Sequence, residues 1–170
     1  MSIGVTRIAA QAGVVIDLKA YLAGDLAELC APILVNNIGW SYGTGANAVN
    51  VIYQDKVTLA DGANTTLDLY ASESLLDIFN RALTMTALKF LYIKNNSDDA
   101  SLLVFGGDST DIDILGAATE QMTILPGGEY LWIAPSAAGK VITTNKNLYL
   151  EHDGTGDDTM DVDIIAMGLD

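Results

Sequence analysis

The chain holds one histidine and one cysteine, so nucleophilic catalysis of the Ser–His or Cys–His kind has to run through them. His152 stands at a strand end in Glu151-His-Asp-Gly, with no nucleophile elbow anywhere in the sequence, and reads as a surface histidine. Cys30 lies in the apolar run Leu29–Val35 with no basic or histidine neighbour and reads as a small packed hydrophobe. A single cysteine forms no intrachain disulfide, and one His with one Cys is too few for a zinc site.

Carboxylates are more plentiful. Asp98 and Asp99, then Asp108, Asp111 and Asp113, then Asp153, Asp157, Asp158, Asp161 and Asp163 could supply oxygen ligands to calcium. None of these stretches has EF-hand spacing, and Asp153-Gly-Thr-Gly-Asp-Asp shares only its composition with calcium turns. Solvated loop charge is the expectation, and no cofactor is called for. Asp161 and Asp163 fall on one strand face about 7 Å apart, a separation that glycosidases use, although any acidic strand offers such a pair. Gly43-Thr-Gly-Ala-Asn-Ala48 has the outline of a dinucleotide fingerprint, but a strand pattern follows it where that motif needs a helix, so it reads as a hairpin loop. No catalytic residue emerges, and the expectation is a protein that is not an enzyme.

The remaining chemistry is aromatic. Trp40 and Tyr42 sit in the Gly-rich stretch Gly39–Asn47, where exposed rings would mark a contact surface. With Tyr130 and Trp132 they could also form a sugar-stacking platform, although Trp132 lies inside an apolar strand and fits a core role better.

Composition bounds the partners. The 170 residues carry 22 acidic and 8 basic side chains, a formal charge of −14, which argues against nucleic acid and anionic membranes. Half of the residues are apolar and 18% charged, which excludes wholesale disorder. The longest apolar runs are far shorter than the roughly 20 residues that cross a bilayer, and the N-terminal stretch lacks the pattern of a signal peptide. The charge is uneven: residues 1–85 carry 8 acidic and 4 basic side chains, residues 86–170 carry 14 and 4.

The elements that must position these residues are short strands between turn clusters. Apolar alternation over Ala48–Lys56, Thr65–Leu69, Gln121–Leu125 and Met160–Ala166 predicts half-buried strands. Apolar runs at Ile33–Ile38, Leu88–Lys94, Ser101–Phe105, Glu129–Ala134, Val141–Thr144 and Leu148–Glu151 predict others, with a brief piece at Ile112–Leu115. Asp61-Gly62 and Pro126-Gly-Gly are turns. Ser72–Asn80 is the best helix, with capping hydroxyls at Ser72 and Ser74 and Glu73 in its first turn. A second helix is predicted over Tyr21–Cys30. The fold expected is all-β: an antiparallel, jelly-roll-like β-sandwich of about ten short strands with one or two short helices. The expected division is residues 1–40 as an arm or leading segment, or else as part of the body, and 41–170 as the sandwich domain.

Several segments in order carry a resemblance: Gly45–Leu69, Ala87-Leu-Lys-Phe-Leu-Tyr-Ile-Lys-Asn, Leu103-Val-Phe-Gly-Gly-Asp, Pro126-Gly-Gly-Glu-Tyr-Leu, Ala134-Pro-Ser-Ala-Ala-Gly and Asp161-Val-Asp-Ile-Ile-Ala-Met-Gly. Over roughly residues 43–168 the chain resembles small virion structural proteins of tailed bacteriophages. The resemblance implies a capsid decoration (cement) protein, made in the host cytoplasm and bound to the capsid exterior, with the major capsid protein as partner and a homotrimer as its own assembly. It supplies no catalytic residues. The chain departs from the pattern in its acidity after residue 95 and in Phe79-Asn-Arg, where a Gly-containing turn is expected. The alternative is a carbohydrate-binding or host-contact module of a head fibre or tail.

Overall fold

A computed structural model describes residues 9–16, 19–20, 29–30, 34–106, 108–117, 119–156 and 159–170, with side chains from Gly39 onward. In chain order the strands are β1 (Ala9–Ile16), β2 (Lys19–Ala20), β3 (Leu29–Cys30), β4 (Leu34–Tyr42), β5 (Ala48–Val49), β6 (Val51–Ala60), β7 (Asn64–Asp68), β8 (Ser72–Leu76), β9 (Ala82–Leu83), β10 (Ala87–Asn95), β11 (Leu102–Val104), β12 (Met122–Ile124), β13 (Glu129–Ile133), β14 (Lys140–Val141), β15 (Asn147–His152) and β16 (Thr159–Leu169). The described residues are all-β, with no helix among them.

Two antiparallel sheets carry the body. The larger has the order β13-β10-β16-β6, with β14 also on β10, and the second has the order β12-β11-β15-β7. Between β6 and β16 the chain passes repeatedly from one sheet to the other. One hydrophobic cluster draws on both: Leu91, Ile93, Val162, Ile164 and Tyr53 from the first, Leu102, Val104, Leu148, Leu150 and Leu67 from the second. Each buried aliphatic side chain of this kind contributes about 1.5–3 kcal/mol. The pleat decides which residues enter. Along β16 Met160, Val162, Ile164 and Ala166 are fully buried, and Asp161, Asp163 and Ile165 point to the other face.

The helix predicted over Ser72–Asn80 is instead strand β8 followed by a turn, paired to β9. Ser72 Oγ does accept the Leu75 N–H at 3.0 Å, as a helix cap would. Buried Asp77 then diverts the chain: its Oδ1 accepts the N–H groups of Phe79 and Arg81, both at 2.9 Å. Asn80 takes φ 63°, supplying the left-handed conformation for which a glycine was expected. Of the other predicted helix, residues 21–28 lie outside the described residues, and Leu29–Cys30 is β3, paired to β2. Ile112–Leu115 is a turn, not a strand; it follows an isolated bridge between Asp111 and Asn147.

Two polar clamps hold the connections. Asn95, fully buried, donates through Nδ2 to the carbonyls of Ala100 (2.8 Å), Ile124 (3.1 Å) and Leu125 (3.2 Å), and its Oδ1 accepts the Ser97 N–H at 2.9 Å. Asp68 meets Lys146 Nζ at 2.6 Å and accepts the N–H groups of Tyr70 and Ala71. Burial pushes the Asp68 carboxyl up, but Lys146 and the two backbone N–H groups outweigh it and hold the group below the usual carboxylate range.

Asn95→Ala removes the bonds to the Ala100, Ile124 and Leu125 carbonyls and the acceptor of the Ser97 N–H, and is expected to cost about 1–3 kcal/mol, read as a lower denaturant midpoint at unchanged slope. Asp68→Asn is expected to lower the unfolding free energy at neutral pH by an amount on the order of 1 kcal/mol, read as a lower melting temperature. Because the folded-state carboxyl titrates below its unfolded value, this contribution is present above the ordinary aspartate range and lost as pH falls through the depressed folded value. The gap between parent and variant melting curves therefore closes in acid.

Candidate contact surface

The outer face of the larger sheet is ordered in rows running across its four strands. Pairing registers place Ile133, Phe90, Met167 and Ile52 side by side, in the order β13, β10, β16, β6. The next row, two residues along each strand, is Leu131, Tyr92, Ile165 and Gln54. The third is Glu129, Lys94, Asp163 and Lys56, alternating in sign at every step. Opposite charges on neighbouring strands stabilise one another. Lys94 Nζ lies 3.8 Å from Glu129, and Lys56 Nζ reaches 2.6 Å from Asp161, one row further on. The Lys56 bond, helped by Thr58 Oγ1 at 2.7 Å, holds the Asp161 carboxyl below the usual range.

The first row is closed off. Phe90, Met167 and Ile52 join Trp40 and Val49 in a second buried cluster, and Tyr92, Leu131, Ile133 and Ile165 pack at its margin half-buried. Trp40, expected to be exposed in a loop, is only 3% exposed, because β4 continues through the Gly39–Tyr42 stretch and carries the ring into this cluster. Tyr42, two residues on, is exposed at 46%. The expected boundary between residues 40 and 41 therefore falls inside a strand.

A buried lysine anchors this corner. Lys89 is fully buried and donates through Nζ to the carbonyls of Gly45 and Ala48, each at 2.8 Å. It sits where the β10–β16 register shifts between Leu88 and Phe90. Burial pushes its ammonium down from the usual lysine range. The Gly43–Ala48 stretch is thus a loop pinned to the sheet and followed by β5, not a phosphate cradle. Nothing in its sequence pattern announced Lys89 as the pin, since one lysine inside an apolar strand looks like an outward-facing residue.

Beside the half-buried row stands the turn after β8. Asp77 pairs with Arg81 at 2.5 Å, and the Arg81 guanidinium lies 5.4 Å from the Phe79 ring centroid. The turn so fixed presents Leu76, Ile78 and Phe79 to solvent. Ile78 shares an open groove with Gln54, Tyr92, Asp163 and Ile165. The Ile78 N–H also occupies the carbonyl of Ile52 on the edge strand β6 at 2.9 Å.

The remaining candidates are dispersed. His152, read as a surface residue, is buried, and its Nδ1 accepts the Gly154 N–H at 3.1 Å. Its alternation with Leu148 and Leu150 on β15 carried the signal, and that strand runs one residue further than predicted. The Asp-rich turns spend carboxylate oxygens on their own backbone: Asp108 on Thr110, Asp111 on Asp108, Asp153 on Thr155 and Ser101. Among the described residues no three His, Cys, Asp or Glu side chains are arranged to hold a metal ion. Asp157 and Asp158 lie outside them. Trp132 and Tyr130 pack half-buried against the principal core, Tyr130 edge-on to Phe105 at 5.9 Å.

The arrangement defines an all-β protein with an alternating charged row on a sheet face. No family model matches the chain, and no curated protein does. Among solved structures, a chain from Bacillus endospore appendages, a family of disulfide-linked pili, is similar over 71% of this chain and 90% of its own, at 14% identity and a TM-score of 0.28, a likeness that carries no argument.

Lys89→Met removes both hydrogen bonds from the Gly45 and Ala48 carbonyls while keeping the volume. The loosened loop is expected to be cut by chymotrypsin after Tyr42 several-fold faster, with cleavage elsewhere in the body unchanged, as read by mass spectrometry of a digestion time course.

Proposed function

We propose that this protein is a non-enzymatic virion structural protein, a capsid decoration protein that binds the outer lattice formed by the major capsid protein and braces it. Its body is an antiparallel β-sandwich, jelly-roll-like, since two sheets share one core and the chain crosses repeatedly between them. The reading rests first on the sequence resemblance. The observation that supports it is the hairpin of β1 and β4, joined residue by residue from Ala9–Ser41 to Ile16–Leu34. Neither strand carries a charged residue, in a chain of net charge −14.

Among the described residues, β1 is the outer strand of its sheet, with β4 as its partner. Among the described residues, β4 pairs with the body at Ser41 and Tyr42, through β5. Soluble proteins guard exposed edges with charge, proline or short length. Strand β6, edge of the larger sheet, has such guards in Asp55 and Lys56. The eight residues of β1 include no charge and no proline. A long unguarded edge suits strand addition to a neighbouring sheet, whose affinity comes from main-chain hydrogen bonds. The sandwich supplies the rigid body and the hairpin the attachment.

The host-contact alternative takes Trp40 or Tyr42 as contact residues; Trp40 is buried, and Tyr42, exposed at 46%, is the one left to it. The homotrimer is carried by the resemblance alone. Deletion of residues 1–20 is expected to lower the copy number in purified virions from hundreds to near none, with the body still folded by circular dichroism. Unchanged occupancy would overturn the attachment role, and a parent copy number of a dozen or fewer would move the protein from the capsid lattice to the tail.

A further inference from the structure

We infer that two copies of this chain pair face to face through the outer surface of the larger sheet, about a two-fold axis parallel to its strands, with the row Glu129–Lys94–Asp163–Lys56 as the matching element. The inference does not depend on the virion reading.

The row reads negative, positive, negative, positive from β13 to β6. A two-fold axis along the strands, placed midway between β10 and β16, reverses this order on the second copy. Glu129 then faces Lys56 of the other copy, and Lys94 faces its Asp163, so all four positions meet an opposite charge. The same rotation lays Tyr92 against Ile165, apolar surface on apolar surface, and sets the Gln54 side chain over Leu131. An axis perpendicular to the strands sets each charge against its own twin, which costs several kcal/mol by like-charge contact. The pattern therefore selects one operator, and a closed two-fold dimer is the assembly it permits.

The side chains are available for it: Lys56 and Glu129 are 57% and 53% exposed, and Lys94 is 36% exposed. The row is neutral in a molecule of net charge −14, so contact through it adds no repulsion of its own to that between the acidic remainders. The outer strands of the row stand roughly 14 Å apart. The patch is thus smaller than the roughly 800 Å² per partner of a standard interface, and the pairing is weak and concentration-dependent.

The test is sedimentation of the full chain across a concentration series at low and high salt. The parent is expected to form a dimer whose dissociation constant rises with salt. Lys56→Glu and Glu129→Lys, made singly, each set like charges face to face and are expected to weaken the dimer more than about tenfold. The double variant Lys56→Glu/Glu129→Lys turns the row into negative, negative, positive, positive from β6 to β13. That row still meets opposite charges after the two-fold rotation, although its neighbours within one copy no longer alternate. Recovery of the dimer in the double variant supports the contact, because a purely internal role for the charges predicts no recovery. Thermal melts of each variant separate loss of pairing from loss of folding. A parent that stays monomeric at millimolar concentration, a trimer, or a double variant no better than the singles would overturn the proposal.

Discussion

The pleat of β10 and β16 governs this molecule. Both strands are central in the larger sheet, so every second residue belongs to a different side. On one side they supply Leu91, Ile93, Met160, Val162, Ile164 and Ala166 to the core shared with the second sheet. On the other they supply Phe90, Tyr92, Ile165 and Met167, a second apolar surface that the chain must also cover. A one-residue slip of either strand would exchange its two sets, and a slip of β16 would set Asp161 and Asp163 into the core. The register is protected near Gly168, where a Cβ would run into the Ala87 carbonyl and the Met85 side chain, so only glycine allows β10 and β16 to close there. Lys89 at the register shift and Asn95 at the end of β10 are the polar exceptions, and each uses its buried hydrogen-bonding groups on carbonyls of a connecting segment.

From that strand pair follows a polar axis. Strand β16 begins beside the acidic turns: Thr159 pairs with Ala60, next to Asp61-Gly62, and Gly156 lies against Asp99. It ends beside Val51 and the base of the uncharged hairpin. Along one strand the outer face passes from carboxylates, through the alternating row, to the half-buried apolar row and then to buried Trp40. The acidic turns and the base of the uncharged hairpin are thus at opposite ends of the sheet. The uneven charge between the halves of the sequence has this spatial form, since the acidic second half supplies the turns at one end while the hairpin comes from the first half.

Much of this was legible in the sequence where local pattern and tertiary demand coincide. The alternation of Met160–Ala166, the apolar run of Leu88–Lys94 and the Asp61-Gly62 turn needed no partner to be read. Ser72–Asn80 misled because its capping hydroxyls and its Leu75, Leu76, Ile78 and Phe79 spacing are those of a helix. The deciding group was the buried Asp77 carboxylate, whose bonds to Phe79 and Arg81, and the reach of Arg81 to the Asn50 carbonyl, become visible only in three dimensions. Trp40 misled for a similar reason: glycines on either side suggest a loop, while its strand is held by pairing to β1, a partner some 30 residues distant in sequence. The candidate surface was illegible for a stricter reason. Glu129, Lys94, Asp163 and Lys56 come from four strands, and their sequence separations contain no trace of the row until the registers are known.

Alternation across a sheet has an evident local cause, since each charge gains from an opposite neighbour on the next strand. That cause does not fix what the row does toward another molecule. An alternating row of odd width begins and ends with the same sign, and reversal about its midline returns each charge to a like one. Such a row would repel its own copy. A row of even width begins and ends with opposite signs, and reversal turns every position into its complement. The order β13-β10-β16-β6 gives four members at this level, because β14 pairs β10 at Ala87 and Leu88, well away from Lys94. The strand count at one level of the sheet thus converts an arrangement that steadies the single chain into one that is complementary to itself.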